Sequence, residues 1–212
     1  SFHAAMLEVR GANPATTHRV LADLDARTRR PLFEALGPGG RMVRRVRVAS
    51  WDVDHVLHRQ ASVPHQRFPA DRAHPVALGI YRAFGFDVAG WNLDLRVRDF
   101  AFGGQTIAIT VPNDVRLVVR ALPGIRYYGL LLHELGHAVA VRSTEVSEPL
   151  FKGYEWVPGL LGPAFAEGSA EFFGRLLDEA SVLRDHLGLE PQEIETVRRA
   201  RRLETLLSIR RG

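Results

Sequence analysis

The sequence predicts a mainly α-helical protein with one small antiparallel β-sheet, which is an α+β fold. Apolar residues recur at three- and four-residue intervals over most of the chain, a spacing typical of amphipathic helices. Strand patterns are confined to one central region, about residues 93–119. With 212 residues, of which 46% are hydrophobic, the chain is large enough for one domain with its own core. We therefore expect residues 1–212 to form a single domain, either complete or a fragment of a longer protein.

The N-terminal third carries helix signals. Asn13 followed by Pro14 predicts an N-cap and a first helical residue. The glycine- and proline-rich residues 37–40 predict the end of that helix. We expect a second helix from about Ser50 and a short helix over about residues 75–84.

The centre of the chain carries the strand signals. Residues 93–98 alternate leucine or valine with charged side chains, which predicts a half-buried strand. Gly103 and Gly104 predict a turn, and residues 106–111, rich in β-branched side chains, predict a second strand. Residues 115–119 either form a third strand or lead into the next helix.

Helical patterns return in the last third. We expect a helix over about residues 125–141, another over about residues 164–186 that ends at Gly188, and a last helix from Pro191. A long loop, residues 142–163, separates the first two. Loops of this length are uncommon inside compact domains, so this one is typical of a functional or mobile segment.

The composition excludes several classes of site and partner. Without cysteine the chain has no disulfide and no thiolate ligand, so any metal must be held by His, Asp or Glu.

The net charge is +4, but the arginines are mostly scattered and Lys152 is the only lysine, which indicates coding bias more than a nucleic-acid surface. No apolar run reaches the roughly 18 residues of a membrane span, and no secretory signal is visible. We expect a cytoplasmic protein that binds neither nucleic acid nor membrane; its oligomeric state stays open.

The pattern with the most chemical content is H-E-x-x-H at residues 133–137. On the predicted helix, His133 and His137 project from one face, roughly 6 Å apart at Cβ. Two imidazoles at this spacing can reach one zinc ion at about 2.0–2.1 Å. Glu134 then lies beside the metal, where it can deprotonate a water activated by the zinc.

Catalytic zinc needs a third protein ligand, and His186 is too far along the chain for the short H-E-x-x-H-x-x-G-x-x-H spacing. Glu167 and Glu171 lie four apart on the predicted helix over residues 164–186, and apolar faces rarely hold carboxylates unless these are paired or bind metal. We expect Glu167 to bind the metal and Glu171 to orient a ligand histidine. The reverse assignment, and a purely structural Glu171, stay open. Gly168 would let this helix approach its partner closely.

Three stretches look like the catalytic core of the thimet oligopeptidase and oligoendopeptidase F family. They are residues 90–104, which begin GWNLDL and end GG, residues 111–116 (VPNDVR) and residues 130–138 (LLLHELGHA). Residues 165–169 (FAEGS) resemble the helix that supplies the glutamate ligand of that family, and residues 51–55 (WDVDH) resemble a segment upstream of its sheet. The resemblance implies a zincin-like core of the gluzincin type, in which H-E-x-x-H is completed by a downstream glutamate.

In that family a small sheet lines a deep substrate channel, and its edge binds the peptide as an added strand. The resemblance implies that main-chain groups of Thr106, Ile107, Ala108 and Ile109 bind substrate here. The chain departs from the family because it lacks most of the N-terminal helical half that closes the channel. It also lacks the C-terminal Gly/Tyr-rich segment, for which Tyr154 in the long loop is the substitute candidate.

The sequence thus predicts a zinc-dependent metalloendopeptidase or oligopeptidase, a hydrolase that cleaves short peptides. One Zn²⁺ per chain would be held by His133, His137 and Glu167, with Glu134 as general base. The departures from the family motivate an alternative, a zinc-binding but catalytically incomplete fragment or relative that needs further chain to form its cleft. A helical interaction domain with structural histidines, and a non-peptide substrate on the same zinc site, also stay open.

Overall fold

The computed structural model of the chain describes residues 13–35, 63–91, 93–143 and 163–211. It is mainly helical with one small three-stranded sheet, so the predicted α+β class is confirmed. In chain order the principal elements are α1 (Pro14–Ala35), α2 (Ala70–Ala83), β1 (Leu93–Val97), β2 (Gly104–Thr110), β3 (Asp114–Val119), α3 (Ile125–Arg142), α4 (Pro163–Arg175), α5 (Ala180–Leu187) and α6 (Pro191–Arg211).

The chain divides into two compact units, and one of them is formed by Ser1–Val63 with Leu189–Gly212. Its described part consists of helices α1 and α6, which contact each other. α1 begins as predicted, because the Asn13 side chain accepts a hydrogen bond from the Thr16 amide at 3.0 Å. α6 buries an apolar stripe that recurs with helical spacing: Ile194, Val197, Ala200, Leu203, Leu206 and Leu207.

The other unit, Pro64–Gly188, contains the sheet. Its strand order is β1-β3-β2, and β3 pairs parallel with β1 but antiparallel with β2. The sheet is therefore mixed, where the sequence predicted an antiparallel one. β3 lies in the centre of the sheet, and its alternate side chains Val115, Leu117 and Val119 are completely buried. The central position suits the strand with the most apolar side-chain surface to bury, because a strand on each side shields it from water. This order leaves β2 at an edge.

Helix α3 lies at the centre of the same unit. It contacts α2, α4, β2 and β3, and twelve of its eighteen residues are buried. A helix that is apolar nearly all round is stable only inside a core. The buried hydroxyl of Tyr81 on α2 donates a hydrogen bond to the Leu132 carbonyl at 2.6 Å, which ties α2 to α3 directly before the H-E-x-x-H motif.

The helix predicted over residues 164–186 is interrupted. A short 3-10 turn and the extended residue Glu179 separate α4 from α5. In an unbroken helix Leu183 would project nearly opposite to Ala170, because thirteen residues rotate a helix by about 220° beyond full turns. The break lets both side chains be buried. Gly188 ends α5 with φ of 66°, as predicted.

Helix α2 begins at Ala70, earlier than the predicted start near residue 75. The additional turn buries Ala73 completely. Pro75 therefore lies inside the helix, where it donates no backbone hydrogen bond.

Some predictions fall outside the described residues. They are the helix end at residues 37–40, the helix from Ser50, and the part of the long loop at residues 144–162 that holds Tyr154. Within the described residues, no helix combines the length and the apolar character that a membrane crossing requires.

Candidate metal centre

Helix α3 places the two histidines of the motif on one face, one turn apart. The Nε2 atoms of His133 and His137 lie 3.2 Å from each other. Helix α4 brings in Glu167, whose Oε2 lies 3.5 Å from Nε2 of His133 and whose Oε1 lies 3.8 Å from Nε2 of His137. We refer to these three residues as the His–His–Glu cluster. The structure thus brings together the three residues predicted to bind metal.

The spacing of the cluster suits one small metal ion. Tetrahedral ligands about 2.0–2.1 Å from zinc are about 3.3–3.4 Å from one another. Two separations in the cluster, 3.2 and 3.5 Å, are close to this value, and the third, 3.8 Å, is slightly longer. Two imidazoles and a carboxylate also form a donor set of catalytic zinc sites, which keep a fourth position open for water or substrate. In the part of the chain that the structure describes, it is the one group of three His, Asp or Glu residues with this spacing.

The environment of His137 favours the form that binds metal. Burial lowers the pKa of this imidazole, and the neighbouring His133 lowers it further, whereas Glu167 opposes the shift. The neutral imidazole is therefore favoured, and this is the ligand form. Its Nδ1 atom is buried and has no hydrogen-bond partner among the described residues, whereas its Nε2 faces the cluster.

Glu171 lies on the other side of the His133 ring. Its Oε2 is 3.6 Å from Nδ1 of His133, whereas Glu167 approaches Nε2 of the same ring. Its Oε1 accepts a hydrogen bond from Nε of Arg175 at 2.5 Å. This geometry favours Glu167 as the ligand and Glu171 as the carboxylate that orients His133, which is the assignment expected from the sequence.

The close contact that brings α4 to α3 is made at Gly136, inside the motif. A Cβ at this position would lie 2.7 Å from Cα of Ala170 on α4, so glycine is needed for the helices to pack. The role predicted for Gly168 is wrong, because a Cβ at Gly168 would meet nothing within 4 Å. Gly168 lies on the exposed side of α4. Gly136 occupies an x position of H-E-x-x-H, and the motif itself does not indicate that this position contacts another helix.

The carboxylate of Glu134 lies beside the cluster and is enclosed. The residue is 5% exposed, and burial raises its pKa, opposed by a hydrogen bond from Thr106 and by the nearby His133. The Thr106 hydroxyl lies 2.9 Å from Oε2 of Glu134 and 2.8 Å from its backbone carbonyl, so its single proton is shared between them. A buried carboxylate with a raised pKa and one fixed donor has the properties of a general base.

Gly104 makes room for this carboxylate. A Cβ at Gly104 would lie 2.8 Å from Oε1 and from Cγ of Glu134. The sequence predicted a turn at Gly104 and a main-chain role for Thr106, but not that either residue contacts Glu134. Nothing in the sequence marks this contact, because it joins positions about thirty residues apart on different elements.

Strand β2 carries the four residues predicted to bind substrate. Thr106 faces α3 through its hydrogen bonds to Glu134, whereas the side chains of Ile107 and Ile109 are exposed. Among the described strands β2 pairs on one side only, with β3. Its other edge, which no described strand pairs, therefore presents main-chain donors and acceptors on the strand whose Thr106 hydroxyl contacts Glu134.

The described tyrosines are buried in the core. Tyr81, Tyr127 and Tyr128 are all at most 4% exposed. Tyr81 donates to a backbone carbonyl of α3, and Tyr128 donates to the Pro69 carbonyl at 2.8 Å. The hydroxyls of Tyr81 and Tyr128 are thus engaged by backbone carbonyls.

Comparisons with protein-family models, curated proteins and solved structures found no match to this chain.

Proposed function

We propose that the unit Pro64–Gly188 is the catalytic domain of a zinc-dependent metallopeptidase that hydrolyses short peptides. The observation that supports this best is the convergence of the His–His–Glu cluster with the enclosed carboxylate of Glu134. A bound zinc ion would supply a Lewis acid for the peptide carbonyl and would lower the pKa of water at the site.

Each residue has a defined task in this proposal. His133, His137 and Glu167 hold the metal and leave one position open. Glu134 takes a proton from the attacking water and later gives it to the leaving amine. A raised pKa suits this double task, because the same group must act first as base and then as acid.

The edge of β2 that no described strand pairs would hold the substrate. An extended peptide can add to a strand edge through main-chain hydrogen bonds, which are independent of side-chain identity. The choice of peptides as substrates rests on this edge and on the resemblance to the thimet oligopeptidase and oligoendopeptidase F family. The cytoplasmic location expected from the sequence stays a prediction.

A second candidate is a zinc-binding chain that is catalytically incomplete. It is favoured by the burial of Tyr81, Tyr127 and Tyr128, which leaves no tyrosine among the described residues to stabilise the oxyanion. Loss of one such donor costs about 10²–10³ in rate. This candidate keeps the metal centre and differs only in turnover.

Two measurements separate the candidates. Zinc content is determined for the wild type, for Glu167→Ala and for Glu195→Ala, an exposed glutamate on α6 that serves as control. Cleavage of a quenched-fluorescent peptide library is then compared between the wild type and Glu134→Gln. We expect about one zinc per chain, lost only in Glu167→Ala, and cleavage that Glu134→Gln abolishes while retaining zinc. Zinc without cleavage would favour the incomplete chain, and a wild type that takes up no zinc would refute both.

A further inference from the structure

A chain of charged side chains leads from the end of α4 to the metal centre. Arg175, the last residue of α4, donates from Nε to Oε1 of Glu171 at 2.5 Å. Its guanidinium also lies 3.6 Å from Oδ2 of Asp178 in the following turn. The second oxygen of Glu171, Oε2, faces Nδ1 of His133 at 3.6 Å. Arg175 is thus connected to a predicted metal ligand through one carboxylate.

The two oxygens of Glu171 have separate partners. Arg175 occupies Oε1, and this leaves Oε2 directed at the histidine ring. The Glu171 side chain is 51% exposed, and an exposed glutamate without an anchor samples several rotamers. A short charge-assisted hydrogen bond from Arg175 restricts that freedom and holds the carboxylate behind the ring.

The ring of His133 has a use for this carboxylate. If Nε2 binds a metal, Nδ1 must carry the proton and needs an acceptor. The 3.6 Å separation between Nδ1 and Oε2 is about half an ångström longer than a hydrogen bond, so a small adjustment of either side chain would form one. By contrast, Nδ1 of His137 has no hydrogen-bond partner among the described residues. Of the two histidines, only His133 therefore has a described carboxylate facing its Nδ1.

We propose that Arg175 is a positioning residue of the metal centre, which acts through Glu171 to fix the ring orientation and tautomer of His133 and so raises the affinity for the metal. The proposal rests on the proposed function only in that the His–His–Glu cluster must bind zinc. A purely structural role is the competing explanation, because a Glu–Arg pair four residues apart at a helix C-terminus also stabilises the helix itself.

The experiment measures Zn²⁺ affinity by competition with a chromophoric chelator. The variants are Arg175→Gln, the conservative Arg175→Lys, and Arg184→Gln as matched control, since Arg184 forms an exposed ion pair with its neighbour Asp185 at 2.7 Å on α5. We expect Arg175→Gln to weaken Zn²⁺ binding by about tenfold, the lower end of the effect of groups that orient ligands. Arg175→Lys should recover part of the loss, and Arg184→Gln should match the wild type.

Two further readouts exclude a structural role. In a Glu171→Gln background, Arg175→Gln should cause no additional loss of affinity, because its effect passes through that carboxylate. The visible absorption of the Co²⁺-loaded protein should change in Arg175→Gln and not in Arg184→Gln. If Arg175→Gln binds Zn²⁺ as the wild type does, or if its loss persists in the Glu171→Gln background, the inference is refuted while the metal centre stands. A wild type without Zn²⁺ uptake would instead refute the proposed function.

Discussion

The side chain of Glu134 is held by two residues of β2 that act in different ways. Gly104 leaves space for its carboxylate, and the Thr106 hydroxyl donates to one of its oxygens. Neither residue belongs to the His–His–Glu cluster. Substitutions at these positions should therefore change turnover without changing metal content.

For Gly104→Ala we expect a fall in kcat of about 10- to 100-fold with zinc content unchanged. The new Cβ would lie 2.8 Å from the carboxylate of Glu134, and a displacement of the general base by about 1 Å has an effect of this size. The measurement is peptide turnover beside zinc stoichiometry. Gly168→Ala is the matched control, since a Cβ there meets nothing. Equal kcat in the Gly104 variant and the wild type would contradict the role of Glu134.

For Thr106→Val we expect the acid limb of the kcat/KM profile to move to higher pH. The Thr106 hydroxyl lowers the pKa of Glu134, so its removal raises that pKa, and a base with a higher pKa is deprotonated only at higher pH. Thr106→Ser keeps the hydroxyl and should keep the wild-type limb. An unchanged limb in Thr106→Val would show that Glu134 is not the group that titrates.

At the scale of elements, the contact between α3 and α4 places Glu167 opposite the two histidines. Ala170 Cα is so close to Gly136 that a methyl group there must push backbone away from backbone. In a Gly136→Ala variant the two contributions to stability therefore oppose each other: alanine favours the helical backbone more than glycine does, but its methyl group disrupts the packing of α3 against α4.

For Gly136→Ala we expect packing to prevail, with a loss of about 1–3 kcal/mol in the free energy of unfolding and weaker zinc binding as α4 moves away. Gly168→Ala should instead increase the free energy of unfolding by about 0.5–1 kcal/mol, because at this exposed position the methyl group meets no neighbour and only the higher helix propensity of alanine counts. Denaturant unfolding with zinc titration measures both. A Gly136→Ala variant as stable as Gly168→Ala would mean that the two helices are not in close contact.

The elements also show which features the sequence could predict. The bounds of α3 and the i,i+4 positions of its histidines follow from local periodicity, and so does the spacing of Glu167 and Glu171 on α4. Gly136, Gly104 and the hydroxyl of Thr106 acquire their roles from neighbours on other elements, and no local pattern encodes these. The parallel pairing of β1 with β3 and the break at Glu179 have the same origin, since both depend on which side chains the rest of the unit can bury.

At the scale of the whole molecule, a metal in this centre would link α3 to α4 across the stretch of chain between them. A ligand that binds only the folded state stabilises it, by about 2.7 kcal/mol at a concentration one hundred times Kd. We expect added zinc to raise the Tm of the wild type and a chelator to reverse the effect. Glu167→Ala should lose the increment, and Glu195→Ala should keep it. A Tm that is insensitive to zinc would argue against a closed three-ligand site.

The second edge of β2, which no described strand pairs, has a further consequence. A strand edge without a partner, here with exposed Ile107 and Ile109, is a template for any other extended chain, including a second copy of this protein, and natural sheets usually protect such edges with charge or proline. If peptides bind at this edge, as proposed above, such protection would also block their approach to Glu134. Substrate and self-association would then compete for one set of backbone groups, so that an occupied edge would also keep the protein from aggregating.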